Sequence, residues 1–361
     1  DSARFAQYMS ISKNYYPENL SLAHQYADSA LNLAAKNNNR IQTGLAEERQ
    51  GSFYKSEGDF ENAEIHLNRA VNIFFENQDY SKAAWAKKKL GDVKIERGDF
   101  TQSMNAYIEA SKLAEEADDK KALAYCYRGI SYLYYQYKEP EKSLENIQTA
   151  YLLLIETEYD TLDMADMLHT LAIALGSNDQ PDSAIACYEL SAEYNKMYGN
   201  LGSLAGNLNN IALIYENRGM YDEALSYYNQ CLIIDRQADD NLGLTFSHIG
   251  IANVYIKQNK LDSALYHALK SFQIAKSIDA LHRIQKAGES LIEIHKELGQ
   301  YDSSLYYYEI TTAVKDSLYK QTKIRESYEL QAIYETDKKE KEILLLKEQK
   351  QAADFRRNTY I

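Results

Sequence analysis

The sequence predicts an all-α fold, a solenoid of repeated helical hairpins that ends in one long C-terminal helix. Glycine and proline are scarce, with 15 and 3 copies in 361 residues, as expected for a mostly helical chain. A pattern of about 40 residues recurs along most of the chain. Within each copy, small residues return at fixed positions where two helices can approach closely.

One residue opens the second helix of each copy, and successive openers lie 40 or 41 residues apart. Pro140 and Pro181 fit a helix start because proline lacks the N–H that is unpaired there. A glycine two residues before an opener fits the end of the preceding helix, whereas Lys138, Asp179 and Asn259 fit that position less well. The openers are Leu20, Phe60, Phe100, Pro140, Pro181, Tyr221, Leu261 and Tyr301.

Two small residues follow each opener, three and ten positions later, on one face of the second helix. A residue between them, seven after the opener, is mostly bulky. The pattern therefore predicts a large side chain flanked by two notches. The first notch holds Ala23, Ala63, Ser103, Ser143, Ala184, Ala224, Ala264 and Ser304, the second holds Ala30, Ala70, Ala110, Ala150, Ser191, Cys231, Ser271 and Thr311, and the bulky residues are Leu67, Tyr107, Ile147, Tyr188, Tyr228 and Tyr308.

The first helix of each copy carries a large–small pair, as in Leu90-Gly91 and Ile211-Ala212, and often a tyrosine three residues later, as at Tyr215. This arrangement resembles the tetratricopeptide repeat, whose usual period of about 34 residues is shorter. The resemblance covers residues 1–318 as about eight units, although the tryptophan of the family pattern is displaced to Trp85. It implies a right-handed superhelix with a concave groove, and therefore a binding protein.

Composition restricts the classes of function. There are 53 acidic and 40 basic residues, a net charge of −13, which argues against nonspecific nucleic-acid binding. No apolar run approaches the length of a membrane span. The three cysteines, Cys126, Cys187 and Cys231, are too few and too widely spaced for a disulfide framework.

The sequence contains none of the common catalytic, metal-binding or nucleotide-binding motifs. The histidines are scattered with no His-Glu-x-x-His spacing, there is no Gly-x-Ser-x-Gly, and "GNLGSLAG" at 199–206 reads as a helix start. We therefore predict no catalytic site, no metal and no cofactor in this chain. Kinase activity, if any, would lie in residues beyond Ile361.

Residues 319–361 are charged and favour helix. They predict a C-terminal helix that is either a solvated cap or a juxtamembrane linker. Together with the repeats, this segment resembles the sensor half of bacterial membrane-bound histidine kinases and related helix-turn-helix regulators. The resemblance implies a periplasmic or extracytoplasmic domain that meets the membrane only through a segment beyond this chain. The alternatives are a cytoplasmic scaffold or co-chaperone-like adaptor, and a peptide-regulated switch. The sequence leaves open whether the chain forms a homodimer.

In tetratricopeptide arrays the first helix of each unit lines the concave groove, which implies where a peptide or protein ligand would lie. Aromatic residues with arginine are typical of interface hot spots, and asparagine can pair with an extended backbone. A tyrosine there can equally pack between helices. We expect a ligand with apolar side chains and an acidic group or free carboxylate. The predicted ligand-binding residues are Trp85, Lys88, Tyr125, Arg128, Tyr132, Tyr135, His169, Asn209 and Asn253.

Overall fold

The computed structural model describes residues 1–16, 19–320 and 322–323, and these contain helices and turns without any β-strand. Contacts divide the chain into two units, Asp1–Val254 and Tyr255–Ile361, which are treated separately below. The predicted division into a 1–318 solenoid and a charged helix stays a prediction, because most of 319–361 lies outside the described residues.

Helical hairpins follow one another along both units, and the predicted helix openers are confirmed. Each second helix begins at the predicted residue, from Leu20 to Leu261, and residues 301–320 are again helical. The helices are α1 (Ser2–Tyr15), α2 (Leu20–Lys36), α3 (Arg40–Ser56), α4 (Phe60–Glu76), α5 (Tyr80–Arg97), α6 (Phe100–Glu116), α7 (Lys120–Gln136), α8 (Pro140–Ile155), α9 (Thr161–Ser177), α10 (Pro181–Met197), α11 (Leu201–Asn217), α12 (Tyr221–Gln237), α13 (Asn241–Lys257), α14 (Leu261–Ser277) and α15 (Leu281–Glu297).

The 40-residue period results from helix length. Helices α3 and α4 each have 17 residues, and three residues separate each from the next helix. Two such helices and two such turns make one repeat. The extra length over the usual tetratricopeptide period therefore lies in the helices, at about three residues each.

From α2 onward, every described turn except the one between α8 and α9 places one residue in the left-handed region. Glycine does so at Gly58, with φ of 79°, but Lys138, Asp179 and Asn259 adopt the same conformation, with φ of 60°, 56° and 56°. These three were expected to fit a helix end less well. They show that the repeat geometry imposes the left-handed turn even where the residue is not glycine.

We expect Lys138→Gly to stabilise the protein by about 1 kcal/mol, because glycine carries no steric cost at positive φ. Lys138 is exposed, so little packing is lost. Urea unfolding followed by circular dichroism measures the change. The control is Gly58→Ala: no atom lies within 4 Å of the added Cβ, so only backbone strain acts and stability should fall by about 1 kcal/mol. Equal midpoints for both variants and the parent would contradict this account.

The knob-and-notch packing is confirmed. Both notches of every repeat are buried except at Ser304. Tyr107 is 1% exposed, and a Cβ added to Gly91 or Gly129 would come within 2.8 or 2.4 Å of its ring. In the last repeat the equivalent Tyr308 is 57% exposed. The large side chain is therefore clamped between small residues of the neighbouring first helices wherever another repeat follows.

Candidate functional site: the first-helix face around Tyr125

The first helices of successive repeats contact one another. Helix α3 contacts α5, α5 contacts α7, and α7 contacts α9. Their free faces therefore form one continuous surface within residues 40–177, named here the first-helix face. Ion pairs join its members: Lys89 Nζ lies 2.6 Å from Glu48 Oε1, and Lys55 Nζ lies 2.8 Å from Glu96 Oε1.

Tyr125 of α7 stands at the centre of this face. Its ring centroid lies 5.2 Å from that of Trp85. Lys88 Nζ lies 5.3 Å from the Tyr125 ring and Arg128 Cζ lies 4.9 Å from it, so two cations pack on one aromatic ring. The hydroxyl donates a hydrogen bond to Asp163 of α9. Burial and this bond raise the pKa of Tyr125, which keeps the phenol protonated at neutral pH.

A pocket of about 200 Å³ opens beside Tyr125. Tyr125 itself is 9% exposed and forms its floor, whereas Tyr132 is 36% exposed and reaches solvent. The pocket thus combines a fixed aromatic floor with an accessible aromatic rim. Its lining comprises Lys88, Asp92, Ile95, Tyr107, Tyr125, Arg128, Gly129, Tyr132 and Thr170.

Lys88 is held firmly by a carboxylate inside the pocket. Its Nζ donates a hydrogen bond of 2.9 Å to Asp92 Oδ2, and the Tyr107 hydroxyl donates one of 2.7 Å to Asp92 Oδ1. Burial acts against the charge of Asp92, but the nearby Lys88 and the Tyr107 hydroxyl outweigh it and lower the pKa of Asp92. Asp92 therefore remains ionised at neutral pH.

Arg128 is held less firmly. Its Nη1 lies 3.3 Å from Asp166 Oδ2, and the Asp166 side chain is 54% exposed. Exposed ion pairs of this kind contribute at most about 1 kcal/mol. A competing carboxylate that also contacts the pocket can therefore displace Asp166, which makes Arg128 the more available of the two cations that flank Tyr125.

The structure brings five of the nine predicted residues together: Trp85, Lys88, Tyr125, Arg128 and Tyr132. Trp85 also donates its indole N–H to Asp119 Oδ2 over 3.2 Å. It therefore links α5 to the start of α7.

The other four predicted residues lie elsewhere on the first helices. Tyr135 is 41% exposed at the end of α7. His169 Nδ1 lies 2.7 Å from Asn207 Oδ1, and its ring packs against Tyr188. Asn209 lines a second pocket on α11, and Asn253 is half-buried on α13.

Two hydrogen-bonding residues of the site are not among the residues predicted from the sequence. Tyr107 was predicted only as a packing residue, yet its hydroxyl reaches Asp92. Asp163, whose Oδ2 lies 2.5 Å from Lys121 Nζ, was not identified at all. The spacing Asp160-x-x-Asp163, which forms a capping box at the start of α9, would have placed it in the first turn of a first helix.

Within 1–16, 19–320 and 322–323, no three His, Cys, Asp or Glu side chains converge to hold a metal ion. Over the same residues, no helix is long and apolar enough to cross a membrane.

Stacked helical hairpins with a continuous first-helix face define the chain as an α-solenoid repeat protein. Residues 48–77 and 203–277 each match a family model described as tetratricopeptide repeat. The chain therefore contains tetratricopeptide repeats. Comparison with curated protein sequences gives no significant match.

Several solved structures share the fold. A Rap protein complexed with Competence and Sporulation Factor has a TM-score of 0.59 at 17% identity, over 84% of this chain and 83% of that one. Aspartyl phosphate phosphatase F from Bacillus subtilis has a TM-score of 0.58 at 17% identity, over 80% and 75%. The Rap conjugation gene regulator of plasmid pLS20, in complex with the Phr* peptide, has a TM-score of 0.56 at 13% identity, over 80% and 78%.

Proposed function

We propose that this chain is a non-catalytic binding domain that holds an extended peptide, or an extended segment of a protein, along its first-helix face. The observation that carries the proposal is the pocket beside Tyr125. There, accessible aromatic surface at Tyr132 adjoins Arg128, whose ion pair with Asp166 is partly exposed. Aromatic residues beside arginine are the composition of interface hot spots.

The pocket also indicates the chemistry of the ligand. A carboxylate of the ligand takes the place of Asp166 at Arg128, where a bidentate contact is available. Apolar side chains of the ligand pack on Tyr132 and Tyr135, which are 36% and 41% exposed. The preferred ligand is therefore an extended segment with apolar side chains and one acidic side chain or a free C-terminus.

The similar structures support a peptide as the ligand class. One of them is a complex with the Phr* peptide, and another is a complex with Competence and Sporulation Factor. Those ligands belong to those proteins, and identities of 13% and 17% carry over the fold alone. They support the proposal as examples of complexes formed by proteins that share this fold.

We further propose that the domain is the extracytoplasmic sensor part of a membrane-bound receptor, either a histidine kinase or a transcriptional regulator. The support is the sequence resemblance of the repeats and the charged segment 319–361. Protease treatment tests this location, with an epitope inserted in an exposed turn of the native gene product. Any outer membrane is first permeabilised, and the inner membrane is left closed or opened. Cleavage with the inner membrane closed is expected, whereas protection until the inner membrane is opened would favour the cytoplasmic scaffold.

A displayed library of random peptides with free C-termini, selected on the chain, tests peptide binding. Selected peptides are then titrated against the chain and against the double variant Arg128→Ala, Tyr132→Ala. We expect affinity to fall at least about tenfold in that variant, because two hot-spot side chains are removed.

The matched control removes a similar pair, one aromatic and one cationic side chain, from the second helix of a repeat, which lies outside the first-helix face. Lys270 Nζ lies 5.9 Å from the Tyr266 ring on α14, and Tyr266 is 57% exposed. The variant Tyr266→Ala, Lys270→Ala should bind selected peptides as the parent does. Circular dichroism should show unchanged helix content in both variants. The proposal would be contradicted if no peptide were enriched, or if both double variants lost the same amount of peptide affinity.

A further inference from the structure

A second pocket, of about 270 Å³, lies where α11, α12 and α13 meet. All of its lining residues belong to the unit Asp1–Val254. Two features distinguish it from the pocket beside Tyr125. It lacks a side chain where two earlier repeats carry aromatic rings, and it has a carboxylate where most other repeats are apolar. Its walls include Gly206, Asn209, Asp235, Asp240, Leu242 and Phe246.

The space exists because of Gly206. This residue lies six positions before the small residue Ala212, the place that Trp85 and Tyr125 occupy in two earlier repeats. No atom lies within 4 Å of a Cβ added to Gly206 or to Gly202. The pocket therefore lies at the position that an aromatic ring occupies in two earlier repeats.

Asp235 is the unusual side chain of this pocket. It is 2% exposed and lies fourteen residues after its opener, Tyr221. Six other repeats bury the same position, and in all but one the residue is apolar. The exception is Asn195, which bonds to Ser191. The apolar equivalents are Ala34, Phe74, Ala114, Leu154 and Ala275.

The Asp235 carboxylate is only half satisfied. The Ser247 hydroxyl donates a hydrogen bond of 2.8 Å to its Oδ2, while Oδ1 accepts none from the described residues. A Cβ added to Gly243 would lie 2.5 Å from Asp235 Oδ1 and 2.8 Å from Asp240 Oδ2. The two carboxylates therefore face one small space, which Gly243 keeps open.

A lone buried carboxylate destabilises a protein unless a partner satisfies it. Burial, with a smaller contribution from the charge of Asp240, raises the pKa of Asp235 to about 6, and no lysine or arginine is among the described residues that line the pocket. A ligand anion is excluded by the same two charges. A group that is cationic, compact and able to donate several hydrogen bonds is complementary to the site.

We propose that this pocket is a subsite for a guanidinium or primary ammonium group of the ligand, held by Asp235 and Asp240. The apolar stem that carries the cation packs on Leu242 and Phe246. The subsite is lined mainly by the first helices α11 and α13, so it deepens the proposed function, on which it rests, by adding a basic side chain to the peptide. This acidic subsite would bind a basic group of the ligand, whereas Arg128 would bind an acidic group.

Small probes test the subsite without any peptide. N-acetyl-L-argininamide and N-acetyl-L-lysinamide carry the cation, and N-acetyl-L-citrullinamide is the nearly isosteric neutral control. We expect calorimetric titration at pH 7.5 to show the arginine probe binding at least about tenfold more tightly than the citrulline probe.

Three variants locate the binding. Asp235→Asn keeps the shape of the pocket and removes its charge, and Gly206→Tyr fills it with the residue that Tyr125 provides in an earlier repeat. Each should weaken binding of the arginine probe by about tenfold or more. Asp222→Asn, at an exposed position of the same helix, is the matched control and should leave binding unchanged.

Equal binding of the arginine and citrulline probes would overturn the subsite, as would undiminished binding to both pocket variants. The two proposals fail separately. Library peptides that bind the parent and Asp235→Asn alike would preserve peptide binding and remove the subsite. Probe binding that depends on Asp235, with no peptide enriched, would preserve the cation site and remove the peptide function.

Discussion

Replacing Tyr107 by alanine should destabilise the protein by about 3–5 kcal/mol, the range for deleting a fully buried aromatic side chain. The ring is 1% exposed and fills the space between Gly91 and Gly129. Its hydroxyl is also one of the two donors to Asp92 in the pocket beside Tyr125. The substitution therefore leaves a cavity and a carboxylate with one donor fewer.

Urea unfolding measures the loss, and two variants separate its causes. Tyr107→Phe removes the hydroxyl alone and should cost about 1–2 kcal/mol. Tyr308→Ala changes the equivalent residue of the last repeat, which is 57% exposed, and should stay within about 0.5 kcal/mol of the parent. In a repeat array each unit contacts its neighbours, so Tyr107→Ala should weaken hydrogen-exchange protection mainly in α5–α8. Equal losses in the free energy of unfolding for Tyr107→Ala and Tyr308→Ala would contradict the packing of Tyr107 between Gly91 and Gly129.

Replacing Asp235 by asparagine should stabilise the protein by about 2 kcal/mol at pH 7.5. The pKa of Asp235 is about 6 because burial, and then the charge of Asp240, oppose ionisation, whereas an unfolded aspartate titrates near 3.9. At pH 7.5 the folded chain therefore carries a charge that the unfolded chain accommodates more easily. Asparagine retains an acceptor for Ser247 without that charge.

The sign of the pH dependence follows from the raised pKa. As the pH falls through about 6 towards 4, folded Asp235 takes up a proton before unfolded Asp235 does, which stabilises the parent relative to Asp235→Asn. The advantage of the variant should thus shrink over this range and stay constant below it. Urea unfolding at pH 7.5, 6 and 4 measures it, with Asp222→Asn as the exposed control. A stability difference independent of pH would contradict the buried charge.

The gain in stability and the proposed loss of cation binding belong to the same substitution. A residue that serves only the fold would not show both, because its removal would weaken both properties together. Asp235→Asn therefore distinguishes a carboxylate that binds the cation from one that has no role in binding.

The helical framework could be predicted because its signals are local. Pro140 and Pro181 mark helix starts by their own geometry, and small residues mark close approaches wherever they recur. The left-handed conformation of Lys138 was harder to predict, because a lysine residue does not itself favour positive φ. Only its position in the repeat does, two residues before an opener.

The pairings of the site could not be predicted from the sequence. Tyr125 reaches Asp163 and Arg128 reaches Asp166, both across a separation of 38 residues, which depends on how far one first helix is shifted along the next. The small-residue pattern specifies that the helices touch, but it does not specify this shift. For the same reason the pairing of Ser247 with Asp235 remained hidden, although a carboxylate at an otherwise apolar position of the repeat was visible in the sequence.

The ion pair between Arg128 and Asp166 has a consequence for how affinity responds to salt. A ligand carboxylate that displaces Asp166 exchanges one ion pair for another and leaves the number of pairs unchanged, so the usual weakening by screening largely cancels. The chain has a net charge of −13, and salt relieves its long-range repulsion of an acidic ligand. Affinity for an acidic peptide should therefore hold steady or rise modestly between about 0.05 and 0.5 M salt, where a preformed, unpaired arginine would show a steady decline.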